Sequence, residues 1–192
     1  MVVAIFTAGL GGVEVEFSAF GEPSDARDRA SRLDEALPLL AAFWSGDEVT
    51  HHGVHYQVDG VTLAPLPAQR PRIPIWIGGM SPAALRRAAA WDGWLGGGDT
   101  EEGRMALTPE KLASMVATIR SHRVHDGPFD VALTAVSAAG DSSIAGEYAD
   151  AGVTWWLEHL HGYRGDYPAL LARVQAGPAV RRSVPKIIAV VA

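Results

Sequence analysis

The chain has 192 residues, of which 48% are hydrophobic, so it can bury one core of ordinary size. Its formal net charge is −6 and its basic residues are scattered, which excludes a broad nucleic-acid-binding face that would need clustered Lys and Arg. The absence of cysteine excludes disulfides, thiolate metal sites and cysteine nucleophiles.

Five strand-helix units follow one another along the chain. In each unit, a short apolar run precedes a segment whose apolar residues have helical spacing. The predicted strands cover residues 2–7, 73–77, 93–95, 129–137 and 153–160. Strands that alternate with helices form a parallel sheet, so the sequence predicts an α/β fold. Because no low-complexity linker interrupts the chain, we expect a single domain over residues 1–192.

Capping residues mark the starts of the predicted helices. A hydroxyl or carboxylate at the N-cap accepts a backbone hydrogen bond, and proline is favoured at the first helical position. These signals occur at Ser81-Pro82, Thr108-Pro109, Asp141 and Asp166. The first long helix, predicted over residues 27–44, contains Pro38, which lacks the N–H that should reach the carbonyl of Asp34. We therefore expect a kink or a local break there.

Residues 46–72 are too polar and proline-rich for a helix, and they separate the first two units. Two alternating stretches around Gly53 and Gly60 predict a small hairpin in this insertion. Its three histidines, His51, His52 and His55, raise the question of a metal site. Only Asp47 and Glu48 lie near enough in sequence to complete a metal coordination shell. Because histidine clusters in loops seldom form closed metal sites, we expect no metal there.

Glycine clusters follow two neighbouring strands. Gly78 and Gly79 precede Met80 and Ser81, and Gly96–Gly98 follow the next strand. Loops at the carboxyl ends of parallel strands form the ligand-binding end of such sheets. Without side chains, backbone N–H groups can approach an anion, and a helix N-terminus adds partial positive charge. The clusters predict a phosphate-bearing ligand, the alternative being that they only form tight turns.

The string "PIWIGGMSP" followed by "DGW", with the upstream "HY" and "PLP", resembles the bacterial luciferase-like monooxygenases, which depend on a flavin or a deazaflavin. The resemblance runs from about residue 2 to about residue 175 and includes "AGLGGVEVEFSAFG", "RLDEALPLLAAFWSG" and "AGVTWWLEHL". It implies an oxidoreductase with a TIM-type (β/α) barrel that transfers hydride or activates oxygen on a small organic substrate. It also implies that FMN or a deazaflavin coenzyme is held by Gly78, Gly79, Met80, Ser81, Gly96 and Gly97.

The chain departs from the family in length, since a complete barrel needs about 250 residues. Met1 lies directly before what resembles the family's fourth strand, so the expected fold is an incomplete barrel of about five strands. The missing strands carry the family's catalytic histidine, and no catalytic residue can be assigned here. The alternative function is a non-catalytic remnant that acts as an oligomeric or ligand-binding module, or a subunit completed by another chain.

An incomplete barrel leaves two edge strands, predicted at residues 2–7 and 153–160. Its inner face would also need cover for apolar residues such as Ile75, Ile77, Trp94 and Trp155, or for the residues that alternate with them along the strands. We therefore expect a homodimer in which two open sheets cover each other. The apolar run after Pro185 is interpreted either as an added strand or as a frayed tail.

Polar residues end the last predicted strand. Side chains alternate along a strand, so Trp156 and Glu158 share one face, while Trp155 and His159 share the other. Trp156 and Glu158 are candidate substrate contacts, and Glu158 or His161 is a candidate acid or base. The alternative is that these are solvated polar residues leaving a strand.

The N-terminus "MVVAIFTAGLGG" is apolar but lacks the basic region of a signal peptide. No apolar run approaches the roughly 18 residues that a membrane helix needs. With the absence of cysteine, these features predict a cytoplasmic protein whose partner is a small molecule rather than a membrane.

Overall fold

The structure is a computed structural model that describes residues 4–11, 14–100, 102–139, 141, 143–177 and 186–191. Contacts between residues divide the chain into two compact units, Met1–Ile75 and Trp76–Ala192. The expected single domain stays a prediction, because compact units do not by themselves define folding domains. None of the helices in the described ranges is both long and apolar enough to cross a membrane.

The first unit contains one short strand, two helices and a hairpin. The elements are β1 (Phe6–Ala8), α1 (Glu14–Ser18), α2 (Ala26–Phe43), β2 (Val49–His52) and β3 (Gln57–Val61). The Phe6 N–H donates to the Pro74 carbonyl at 2.9 Å, and the Phe6 ring packs edge-on against Trp44 with centroids 5.8 Å apart. Residues 2 and 3 of the first predicted strand lie outside the described residues.

Helix α2 begins at the N-cap Asp25, whose carboxylate accepts from the N–H groups of Arg27 and Asp28. The helix is continuous through Pro38, so the expected break is absent. An internal proline costs about 3 kcal/mol through its missing hydrogen bond and its ring clash. Burial of the neighbouring Leu37, which is 2% exposed, contributes to offsetting that cost.

The predicted hairpin in residues 46–72 is confirmed: β2 and β3 pair antiparallel, with Val49 opposite Val61. The Glu35 carboxylate of α2 fixes the connection between the two strands. It accepts from the backbone N–H groups of Val54, His55 and Tyr56 at 3.1, 2.9 and 2.9 Å, and it pairs with His51 Nε2 at 2.9 Å. One carboxylate therefore satisfies three main-chain donors of the hairpin loop.

The sheet from β4 onward is parallel and five-stranded, with helices between successive strands, as predicted for (β/α) units. Its strands are β4 (Ile75–Gly78), β5 (Gly93–Gly97), β6 (Asp130–Ala135), β7 (Trp155–Leu160) and β8 (Lys186–Val191). The helices are α3 (Pro82–Ala88), α4 (Pro109–His122), α5 (Ser143–Asp150) and α6 (Tyr167–Gln175), and a 3₁₀ turn spans Gly162–Arg164.

The predicted N-caps at Ser81, Thr108 and Asp166 are confirmed, whereas α5 begins at Ser143, so Asp141 lies two residues before the helix rather than at its N-cap position. Ser81, Thr108 and Asp166 are N-caps whose side chains accept from the N–H groups of Ala84, Lys111 and Ala169. Asp141 accepts from the N–H of Ser143, the first residue of α5, at 2.9 Å. Each cap satisfies a donor that has no partner within the helix.

The prediction that residues 153–160 form an edge strand is wrong. Strand β8 pairs with β7 in parallel along its whole length, from Trp155 opposite Lys186 to Leu160 opposite Val191. Of the two interpretations of the C-terminal apolar run, the added strand holds. Its β-branched residues favour the extended conformation.

Strand alternation separates the side chains of the sheet into two faces. Trp94, Leu133 and Trp156 share the face covered by helices, where the Tyr148 ring of α5 packs against Trp156 with centroids 5.6 Å apart. On the other face, the Trp76 and Trp155 rings pack with centroids 5.5 Å apart. Each face therefore has an aromatic cluster of its own.

The expectation that apolar residues of the sheet lack cover in a single chain is also wrong. Ile75, Ile77 and Trp94 are each 0% exposed, and Trp155 is 8% exposed. The short runs are apolar at almost every position, so the sequence pattern could not assign their faces. These four residues form no uncovered surface.

Replacing Glu35 with Gln should change how stability depends on pH. Burial acts to raise the pKa of Glu35, but hydrogen bonds from His51 and from the His55 and Tyr56 N–H groups outweigh it, and the pKa falls from 4.5 to about 2. A depressed pKa stabilises the folded state above pH 4.5, and that contribution is lost as the pH falls towards 2. In urea unfolding between pH 5 and pH 3, Glu35→Gln should lose less stability than the wild type.

The matched control is Glu48→Gln, which removes an exposed carboxylate from the same insertion. This variant should keep the pH dependence of the wild type. Equal slopes for all three proteins would contradict the role assigned to Glu35.

Candidate functional site

The carboxyl ends of β4 to β7 meet at one edge of the sheet, because all these strands run in parallel. Ligands bind at this edge in sheets of this kind. The turn of residues 78–81 lies there, between β4 and α3. Gly79, Met80 and Ser81 are exposed, with Met80 at 38%.

Gly79 adopts a backbone conformation that requires glycine, since its φ is +119°. Its N–H donates to the Leu95 carbonyl at 3.4 Å, and its carbonyl accepts from Trp94 Nε1 at 2.8 Å. A Cβ on Gly79 would lie 3.0 Å from the Ala84 Cβ. Strand β5 therefore holds the turn in place, and a side chain at Gly79 would strain it.

Gly96 and Gly97 lie beside this turn, because Gly78 is opposite Leu95 in the parallel pairing. Gly96 is buried, and a Cβ there would lie 2.7 Å from the Trp94 ring. Gly97 is exposed, and the nearest atom to its Cβ position is Thr134 Oγ1 at 3.8 Å. The Trp94 ring thus fills the position of a Cβ at Gly96, whereas a Cβ at Gly97 would make only an ordinary contact.

Trp156 and Glu158 contact each other on the helix-covered face. The Glu158 carboxylate accepts from Trp156 Nε1 at 3.0 Å, from the Ser137 N–H at 3.0 Å and from the Ser137 hydroxyl at 2.7 Å. Arg164 and Arg173 pair with it at 2.8 and 3.2 Å. Glu158 is 3% exposed and Trp156 is 1% exposed.

This network governs the charge of Glu158. Burial acts to raise its pKa, but the hydrogen bonds from Ser137, Trp156 and Arg164 outweigh burial, and the net pKa lies below the ordinary value. The carboxylate is therefore ionised and fully paired at neutral pH. A substrate contact at Trp156 and Glu158 stays a prediction, and the geometry favours a structural role.

A cavity of about 520 Å³ lies at the same end of the sheet. Its lining includes Arg104, Ser137 and Arg164 but none of the predicted glycines. The volume falls within the range of ligand pockets. Sequence patterns gave no signal for it, because its lining residues come from three separate segments.

The three histidines of the hairpin each have a separate partner. His51 Nε2 pairs with Glu35, His52 Nδ1 contacts Gln57 Oε1 at 3.0 Å, and His55 Nε2 contacts Ser31 Oγ at 2.8 Å. Their nitrogens are directed at different groups rather than at one point.

Replacing Glu158 with Gln should destabilise the fold. Loss of one partner from a buried ion pair leaves the other charge uncompensated, at a cost of about 3–5 kcal/mol. Urea unfolding at pH 7 should show a loss of this order. Glu147→Gln, which changes an exposed carboxylate on α5, should stay within about 0.5 kcal/mol of the wild type. Equal stability of the two variants would show that the Glu158 network contributes nothing.

Comparisons with known proteins agree with this architecture. A sequence profile of the luciferase-like monooxygenase family matches residues 4–186. An uncharacterized protein of Mycobacterium tuberculosis is 31% identical over 140 residues, which cover 72% of this chain and 44% of that protein. An FMNH₂-dependent dimethylsulfone monooxygenase of Pseudomonas putida is 33% identical over 119 residues, which cover 61% of this chain and 33% of that enzyme.

Among solved structures, an F420-dependent secondary alcohol dehydrogenase superposes with a TM-score of 0.52 at 16% identity, over 95% of this chain and 55% of that one. This likeness concerns the fold. The chain spans less than half the length of the two curated relatives described above. The match over residues 4–186 confirms the resemblance: the chain belongs to the luciferase-like monooxygenase family.

Proposed function

We propose that the chain binds the phosphate of FMN or of a deazaflavin coenzyme at the turn of residues 78–81 and belongs to an oxidoreductase that acts on a small organic substrate. The observation that carries this proposal is the exposed glycine turn at the carboxyl edge of the sheet, which is held by β5 and lies beside the exposed Gly97.

The turn suits an anion for two reasons. It ends at the N-terminus of α3, where partial positive charge accumulates. In this proposal the backbone N–H groups of Met80 and Ser81 donate to the phosphate. The Ser81 oxygen accepts from the Ala84 N–H at 3.2 Å, and its own hydroxyl proton is available to a phosphate oxygen.

Of the predicted coenzyme contacts, Gly97 fits better than Gly96. Gly97 is exposed, whereas Gly96 is buried and the Trp94 ring occupies the place of a Cβ there. We therefore propose that Gly78, Gly79, Met80, Ser81 and Gly97 contact the coenzyme, and that Gly96 acts by letting Trp94 hold the Gly79 carbonyl.

A bound flavin or deazaflavin would supply the hydride or electron transfer. The role of this protein in the reaction is to hold the coenzyme phosphate and thereby to orient the coenzyme ring. The similarity to an FMNH₂-dependent monooxygenase and to an F420-dependent dehydrogenase supports the two coenzymes as candidates.

A second candidate is a ligand-binding subunit that needs another polypeptide for catalysis. The observation that favours it is the coverage, since the chain matches 44% and 33% of the lengths of the two curated relatives. Coenzyme binding without turnover would favour this candidate over a self-sufficient enzyme.

Replacing Gly79 with Asp should weaken coenzyme binding strongly, because it places a carboxylate beside the phosphate. Gly79→Asn is the matched control, since it introduces the same bulk and the same backbone strain without the charge. Fluorescence titrations with FMN and with F420 should give a dissociation constant for the Asp variant at least about tenfold above that of the Asn variant, which is the effect of about 1.4 kcal/mol.

If neither coenzyme binds the wild type, the proposal fails. If the Asp and Asn variants bind equally, the phosphate does not lie at this turn. Binding of one coenzyme alone identifies the one that the chain uses.

We also propose that two copies of the chain associate. Strand β8 lies at an edge of the sheet, and among the described residues only β7 pairs with it. An unpaired strand edge readily pairs with another chain. Light scattering at micromolar concentration should give the mass of a dimer, and the mass of a single chain of 20.3 kDa at every concentration would contradict association.

A further inference from the structure

Three metal-ligating side chains meet at the carboxyl edge of the sheet. Asp99 follows β5, His159 lies in β7, and His161 directly follows β7. The Asp99 Oδ2 atom lies 2.9 Å from His159 Nδ1 and 3.7 Å from His161 Nε2. One donor atom from each of the three residues lies within 4.8 Å of the others.

Two of the three groups are sheltered from water, and the third is partly exposed. The Asp99 side chain is 6% exposed, that of His161 is 12% exposed and that of His159 is 28% exposed. Within the part of the chain that the structure describes, the buried His161 Nε2 atom has no hydrogen-bond partner. A buried polar atom without a partner is costly, and this one faces the Asp99 carboxylate from beyond hydrogen-bond distance.

The surroundings keep the rings in place and leave one side open. The His159 and His161 rings lie against each other with centroids 4.6 Å apart, and Tyr163 packs edge-on against His161. A cavity of about 280 Å³ is lined by Asp99, Thr100, His159, His161 and Tyr163. The donors therefore line a space that has room for further ligands.

We propose that Asp99, His159 and His161 bind a divalent transition-metal ion, with Zn²⁺ as the best match. Two imidazoles and one carboxylate form a donor set typical of catalytic zinc sites and of non-haem iron sites. Bonds of 2.0–2.1 Å in a tetrahedral arrangement place donor atoms about 3.3–3.4 Å apart, a spacing bracketed by the two measured distances. The cavity supplies the open fourth position.

A bound ion also explains the orphan nitrogen. The Asp99 carboxylate alone satisfies His159, through the contact at 2.9 Å, but leaves His161 Nε2 without an acceptor. A cation between the three groups would accept the lone pairs of both imidazoles and neutralise the carboxylate. Because Gly97, a proposed coenzyme contact, lies two residues before Asp99, the metal site is tested without coenzyme.

The test is a calorimetric titration of Zn²⁺ into tag-free protein that has been treated with EDTA, without any coenzyme. One ion should bind per chain. His161→Phe keeps an aromatic ring against His159 and Tyr163 but removes the ring nitrogens. It should raise the dissociation constant for Zn²⁺ at least about tenfold, because losing a group that only supports a ligand already costs about that much affinity. Asp99→Asn keeps the shape of the buried side chain and should act likewise.

His125→Ala is the control, because it removes an exposed histidine elsewhere in the same unit and should leave the affinity unchanged. Circular dichroism checks the fold of each variant. Substitution with Co²⁺ supplies a spectroscopic readout, since a four-coordinate site with imidazole ligands should give visible absorption that His161→Phe abolishes.

The proposal is overturned if the wild type shows no saturable binding of one ion, or if folded His161→Phe and Asp99→Asn bind Zn²⁺ as tightly as the wild type. It is also overturned if His125→Ala loses as much affinity as they do. A failure here would leave the coenzyme titrations at Gly79 unaffected, so the two proposals are judged separately.

Discussion

The parallel pairing of β4 to β8 is the constraint on which the rest of the molecule depends. It brings the carboxyl ends of successive strands to a single edge, although the residues that follow them are far apart in sequence. The glycine turn after β4, Gly97 at the end of β5, and the group of Asp99, His159 and His161 all owe their position to this pairing. Helices between the strands make the pairing possible, because parallel neighbours need long crossovers.

The alternation of side chains along β7 assigns neighbouring polar residues to different tasks. Glu158 turns towards the helices and is held by Ser137, Arg164 and Trp156 in a buried network. His159, one residue later, turns to the opposite face and reaches Asp99. Adjacent polar residues at the end of one strand thus serve the fold in one case and a candidate ligand site in the other.

Local patterns predicted much of the fold, because their causes are local. Ser81 and Thr108 begin helices in the structure as their capping chemistry requires, and the hairpin forms where alternation placed it. The contact of Asp99 with His159 joins residues 60 positions apart, so it depends on strand register rather than on any motif. Whether the C-terminal run forms β8 or a tail also depends on pairing with a distant strand, so the sequence left both interpretations open. Fully apolar strands show no alternation, so the sequence could not assign their faces.

The hydrogen bonds between Glu35 and the hairpin loop constrain which substitutions the loop can tolerate. Three of the hydrogen bonds that Glu35 accepts come from the backbone N–H groups of Val54, His55 and Tyr56. Any amino acid except proline can donate through its backbone. Substitution of these side chains by residues other than proline therefore leaves the three main-chain donors of the loop in place. Sequence variation at positions 54–56 is therefore compatible with an unchanged connection between the two strands.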